Sequence, residues 1–98
     1  MDFEIGQIVF SKAGRDKGIP LIIVRLEIER NGKEEYAYLV DGKYRLLANP
    51  KKKKTKHLQI TKYTDLDLKE TIAKKQHLKD SDFKDAIRKF NAREVSHG

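Results

Sequence analysis

Apolar residues recur at every second position through most of the first two thirds of the chain, and at every third or fourth position after it. In residues 19–29, Ile22, Val24, Leu26 and Ile28 alternate with polar neighbours, the period of a strand buried on one face. Leu21 and Ile23 fall on the opposite face with Arg25, Glu27 and Glu29, so they need a cover of their own, and the C-terminal helices are the expected cover. Ahead of this strand, Ile8, Val9 and Phe10 mark a first strand over residues 7–12. Asn31-Gly32 and Asp41-Gly42 are dipeptides favoured in tight turns that need positive φ. They bracket a third strand, residues 34–40, with Tyr36, Tyr38 and Val40 on one face and Ala37 and Leu39 on the other. A fourth strand is expected over residues 43–48, stopped by Asn49-Pro50, because proline removes a donor and holds its predecessor out of the helical region. A fifth follows over residues 57–62, with Leu58 and Ile60 facing one way. The four lysines at 51–54 then occupy the loop between the fourth and fifth strands.

Beyond Tyr63 the period changes. Thr64 followed by Asp67 resembles a capping box with Asp in place of Glu, Leu68 and Ile72 lie one turn apart, and Lys74 and Lys75 close the end. This predicts a helix over residues 65–76. A second, over residues 82–93, is capped by Asp80, Ser81 and Asp82 and carries Phe83, Ala86, Ile87 and Phe90 as a single stripe, expected to pack within the chain. Residues 94–98 read as a frayed tail. The fold class is therefore mainly β, then α: a small five-stranded SH3-like barrel over residues 1–63, with a C-terminal two-helix appendage over residues 64–98 packed on it.

Composition narrows the function. With 98 residues the chain is one small domain with an appendage, and its charged fraction of 38% demands an efficiently patterned core. The absence of cysteine excludes disulfides, thiolate catalysis and sulfur-ligated zinc. Apolar runs such as residues 21–24 are too short to span a bilayer, and the opening MDFEIG has acids where a secretion signal has basic residues, so a cytoplasmic location without membrane contact is expected. Charge is concentrated. Residues 43–62 contain eight Lys or Arg and no Asp or Glu, whereas the flanking parts of the chain are close to neutral. Such a stretch attracts polyanions at long range and is screened by salt. Catalytic chemistry is not indicated. His57, His77 and His97 stand twenty residues apart with no metal spacing around them, and residues 14–18 lack the Gly-Lys-Ser/Thr ending of a phosphate-binding loop. No enzyme activity, metal or cofactor is expected.

Gly6, Val9, Gly14, Lys17 and Gly18, followed by the alternation of the second strand, resemble a KOW motif, with SKAGRDKG at residues 11–18 as its loop. Together with VDGKYRLLANPKKKKTKHL at residues 40–58, this is similar to KOW-domain proteins related to the archaeal and eukaryotic large-subunit ribosomal proteins of the fourteen-e, six-e and twenty-seven-e group. The resemblance covers about residues 5–62, and the compact, nearly neutral tail resembles the short free-standing bacterial members. It implies an SH3-like barrel that binds RNA, large-subunit ribosomal RNA first, with the ribosome or ribosomal proteins as further partners, a role in translation and a monomeric state.

Charge and resemblance lead to one expected mechanism, in which loop 11–18 and loop 49–56 lie at one end of the barrel and clamp an RNA backbone. Lys12, Lys17, Lys43, Lys51, Lys52, Lys53, Lys54 and Lys56 supply point charges, and Arg15 and Arg45 can grip phosphate through two donors. Gly14 and Gly18 let the backbone approach phosphate, while Ser11 and Asn49 add hydrogen bonds. His57, Tyr44 or Tyr38 offers a ring to an unpaired base. Asp41 reads as a turn residue, and Asp16 as a partner of Arg15 or Lys17. A grip on ~4 to 6 phosphates gives a slope of about −3 to −5 for log K against log salt. The rival is a protein-interaction adaptor using the barrel and the Phe83, Ile87, Phe90 face. A helix-turn-helix on DNA is disfavoured by the acidic start of the second helix.

Overall fold

The computed structural model describes residues 3–96. Five antiparallel strands come first: β1 (Gln7–Ser11), β2 (Pro20–Ile28), β3 (Glu35–Val40), β4 (Lys51–Lys54) and β5 (Leu58–Thr64). A single 3-10 turn, Thr55–His57, joins β4 to β5. The helices α1 (Leu66–Ala73) and α2 (Asp80–Ser96) follow, so α2 continues through most of the expected tail, whose last two positions lie outside the described residues. The sheet runs β4-β3-β2-β1-β5.

One bulge organises the core. Ile23 pairs with Leu39 and Arg25 with Tyr38, so Val24 has no partner and the strand changes parity there. Before the bulge, Leu21 and Ile23 point to the inner face; after it, Leu26 does. The even-numbered face of β2 is therefore not uniformly buried as its alternation predicts, and Ile28 at its end is 64% exposed. Among the described residues, no helix side chain joins the inner cluster of Val9, Leu21, Ile23, Ala37, Leu39 and Leu58, and Phe3, Ile5 and Leu26 pack against it. A sheet face this dry with no second layer is covered by the curl of the sheet itself. The sheet is nevertheless not closed, because β4 and β5 remain its edges.

The helices cover the other face. Ile8, Ile22 and Val40 pack with Leu68, Phe83, Ala86 and Phe90, and the Phe90 ring meets those of Phe10 and Tyr63 at 6.0 and 5.6 Å. The expected cover for Leu21 and Ile23 is thus corrected: the helices cover Ile22 and its neighbours, and the sheet covers the rest. The Phe83, Ala86, Phe90 stripe lies within the chain. Tyr63 reaches this layer because β5 is irregular between its pairings with Gln7 and Val9, where Thr61 Oγ1 donates to the Ile8 carbonyl and Gln7 Nε2 to the Thr61 carbonyl.

Local chemistry sets the helix ends. Asp65, not Thr64, is the N-cap of α1, its carboxylate accepting from Leu68 N at 3.0 Å. Past Ala73 and the C-cap Lys74, Lys75 turns the chain away with a positive φ of 55° while Lys75 N and Gln76 N bond back to the Ile72 and Thr71 carbonyls. Glycine decides how closely the layers approach. A Cβ on Gly42 would fall on the Asp80 carbonyl at the start of α2, and one on Gly6 would stand 2.9 Å from the Asp65 carbonyl oxygen.

Candidate nucleic-acid interface

The lysine run is a strand rather than a loop. Residues 43–48, expected to be the fourth strand, form an irregular turn, and pairing resumes only after Pro50, where β4 docks against β3. Proline suits the start of an edge strand, since its missing N–H is not needed there. Lysine blunts an exposed edge against pairing with other chains. Strand geometry then splits the four lysines by face. Lys51 and Lys53 oppose Leu39 and Ala37 of the inner face, and Lys52 and Lys54 oppose Tyr38 and Tyr36 of the outer one.

On the inner side Lys53 crosses to the β1–β2 loop. Its ammonium donates to Ser11 Oγ at 2.6 Å and to the Ala13 carbonyl at 3.0 Å, and Ser11 Oγ donates to the same carbonyl at 2.6 Å. Ser11 is buried. Lys53 and Ser11 therefore fasten loop 11–18 to β4. A second tie comes from Asp16, buried and bonded to Arg45 through both Nε at 3.1 Å and a terminal guanidinium nitrogen at 3.0 Å. Asp16 thus pairs with Arg45, which corrects its expected pairing with Arg15 or Lys17. Lys12 N donates to the His57 carbonyl at 2.9 Å, closing a third link along the same end. The two segments expected to form the clamp, 11–18 and 49–56, are tied together by Lys53 and Ser11, and Arg45 of the preceding turn joins them through Asp16.

Residues 41–45 are held by one carboxylate. Asp41 Oδ1 accepts from the backbone N–H groups of Lys43, Tyr44 and Arg45 at 2.9, 2.8 and 2.7 Å. This is an anion nest that the chain fills with its own side chain. Asp80 Oδ1 accepts from Leu47 N at 2.8 Å and anchors the following residues to α2. Asn49 and His57 are exposed, and the described contacts of both are made by the backbone.

On the outer side the cations already have carboxylates. Lys52 Nζ lies 3.1 Å from Glu27 Oε1, which also accepts from the Tyr38 hydroxyl at 3.3 Å, while Arg25 reaches Glu27 Oε2 at 3.2 Å. Lys52 Nζ stands 4.5 Å from the Tyr36 ring centroid, and the Arg25 guanidinium 4.9 Å from that of Tyr38. The Lys52 ammonium holds the Glu27 carboxyl below its ordinary value, and Glu27 raises Lys52 in return. Lys54 and Lys56 share Glu34 at 3.8 and 3.4 Å. Sequence reasoning missed Arg25, Glu27 and Glu34 as parts of this surface. The signal lay in the acids of β2 and the 29–34 turn, but it becomes legible only once β4 is known to pair with β3.

At the tied end the cations other than Arg45 are not neutralised in this way. Among the described residues, Lys12, Arg15, Lys17, Lys43 and Lys51 have no carboxylate partner, and Gly14 and Gly18 beside them take positive φ of 87° and 81°. No protein-family model matches the chain, and no curated protein matches it.

Proposed function

We propose that the chain is an RNA-binding protein that grips the phosphodiester backbone with the end of the sheet formed by loop 11–18, turn 41–50 and Lys51. Structured large-subunit ribosomal RNA is the first candidate ligand, and association with the ribosome its setting. The observation that carries this is the clustering of Arg15, Lys17, Lys43 and Lys51, cations without carboxylate partners, on segments that Lys53, Ser11, Arg45 and Asp16 tie together. Pre-tied segments lose little further entropy when they close on a ligand. The resemblance of residues 11–18 and 40–58 to KOW proteins supports the same reading. Within it, Ser11, Lys53 and Arg45 position the loops, and Lys52, Lys54 and Lys56 add long-range charge discounted by Glu27 and Glu34. For the adaptor alternative, Phe83 and Phe90 are not available as a docking face, because both are buried against the sheet, which leaves it the sheet surface.

Binding to a large-subunit ribosomal RNA fragment, followed by fluorescence anisotropy over a salt series, tests this. Four phosphate contacts predict a slope near −3. Exchanging Arg15, Lys17, Lys43 and Lys51 for Gln should weaken binding by at least about tenfold and flatten the slope. Removing four charges at Arg30, Lys33, Lys75 and Lys79, which lie on turns elsewhere, should change affinity only about twofold. Equal losses from the two sets would mean a diffuse attraction and would sink the clamp.

A further inference from the structure

The turn between β3 and β4 carries a feature that a backbone grip does not use. Tyr44 is 66% exposed, and it is the only tyrosine or phenylalanine among the described residues with most of its surface in water. Tyr36 and Tyr38 are partly buried beside Lys52 and Arg25, and Tyr63 lies against Phe90. An exposed ring on a loose loop would mean little, but this turn is fixed. Its N–H groups, Tyr44's included, end on Asp41, and its flanks are pinned by Arg45 to Asp16 and by Leu47 to Asp80. The Lys43 ammonium stands over one face of the Tyr44 ring, 5.1 Å from its centroid, so a base that stacks on the ring takes the other face or displaces the ammonium, and in either case a cation lies within reach of that nucleotide's phosphate. A base inside a duplex already has both faces covered by its neighbours. A ring at a turn tip can only take one that is unpaired.

We infer that Tyr44 is a stacking platform for an unpaired base, with Lys43 holding that nucleotide's phosphate, so the ligand is RNA with a single-stranded stretch or bulge next to the gripped backbone. This rests on the RNA reading above and narrows its ligand class. The test compares a short single-stranded RNA carrying one fluorescent purine analogue with its blunt duplex. The native protein should quench the analogue in the single strand. Tyr44→Ala should lose the quenching and weaken single-strand binding about tenfold, while duplex affinity stays within about twofold and the salt slope is unchanged, since stacking releases no counterions. Tyr44→Phe should restore both. If Tyr44→Ala binds and quenches like the native chain while Arg15→Gln with Lys17→Gln still weakens binding, the platform is wrong and the backbone grip stands. Equal loss on single strand and duplex would also overturn the platform. Failure of the native protein to bind either RNA would remove the RNA reading together with it.

Discussion

At the scale of single residues, the tied end depends on groups that touch no ligand. Asp41 is buried and answers three backbone donors with one oxygen, so Asp41→Ala leaves those N–H groups unpaired. The expected loss is about 2–3 kcal/mol, read as a lower urea midpoint at an unchanged slope. Asp41-Gly42 is legible in the sequence as a turn, but the cage is not, because it needs residues 43–45 to fold back over the carboxylate. Lys75 makes the opposite case. It holds a left-handed conformation where glycine costs nothing, and it is exposed, so Lys75→Gly should raise stability by about 0.5–1 kcal/mol in the same assay. An unchanged midpoint would show that the α1 terminus frays in solution.

At the scale of elements, β4 shows why the lysine run misleads as sequence. Four identical side chains have no alternation, so periodicity cannot distinguish a strand from a loop; only the partner does, and Tyr36 and Tyr38 of β3 supply it across the ladder. The segment at 43–48 has strand-like residues but spends its backbone donors on Asp41 and Asp80. β1, β2, β3 and both helices, by contrast, are legible to within a few residues, since each has a clear period and a turn or cap at its ends. The face of β2 is legible only as far as the unpaired Val24. The Glu27–Lys52 link that holds β4 to the outer face gives a pH prediction with a definite sign. Glu27 titrates below its ordinary 4.5, so its contribution is present above that value and fades as pH falls through the lowered one. Lys52 titrates above its ordinary 10.5, so its contribution is complete below that value and fades as pH rises through the raised one. Carboxyl NMR should find the Glu27 midpoint below 4.5, and Lys52→Gln should return it toward that value. A midpoint insensitive to Lys52 would mean that the pair does not persist in solution.

At the scale of the molecule, one sheet is buried in two ways: by its own curl on the inner face, and by α1 and α2 on the other. The change in composition after Tyr63 marks a real change from strand to helix, but the two parts share a core, because Ile8, Ile22 and Val40 are buried in one cluster with Leu68, Phe83, Ala86 and Phe90 of the helices. Exposing that surface would cost each fully buried Ile or Val about 1.5–3 kcal/mol, a sum too large for the sheet to stand without its helices at ordinary domain stabilities. The tied end depends on the same union, since Asp80 of α2 anchors Leu47 and Gly42 packs against the Asp80 carbonyl. The chain should therefore unfold as one unit. Helical circular dichroism and tyrosine fluorescence, the latter usable because there is no tryptophan, should give coincident urea transitions. Phe83→Ala, which empties the centre of the shared core, should move both by about 3–5 kcal/mol and weaken RNA binding where the protein is partly unfolded. Helix melting at lower urea than the tyrosine signal would instead make the helices a detachable layer, and the geometry of turn 41–50 would then have to survive without its anchor on α2.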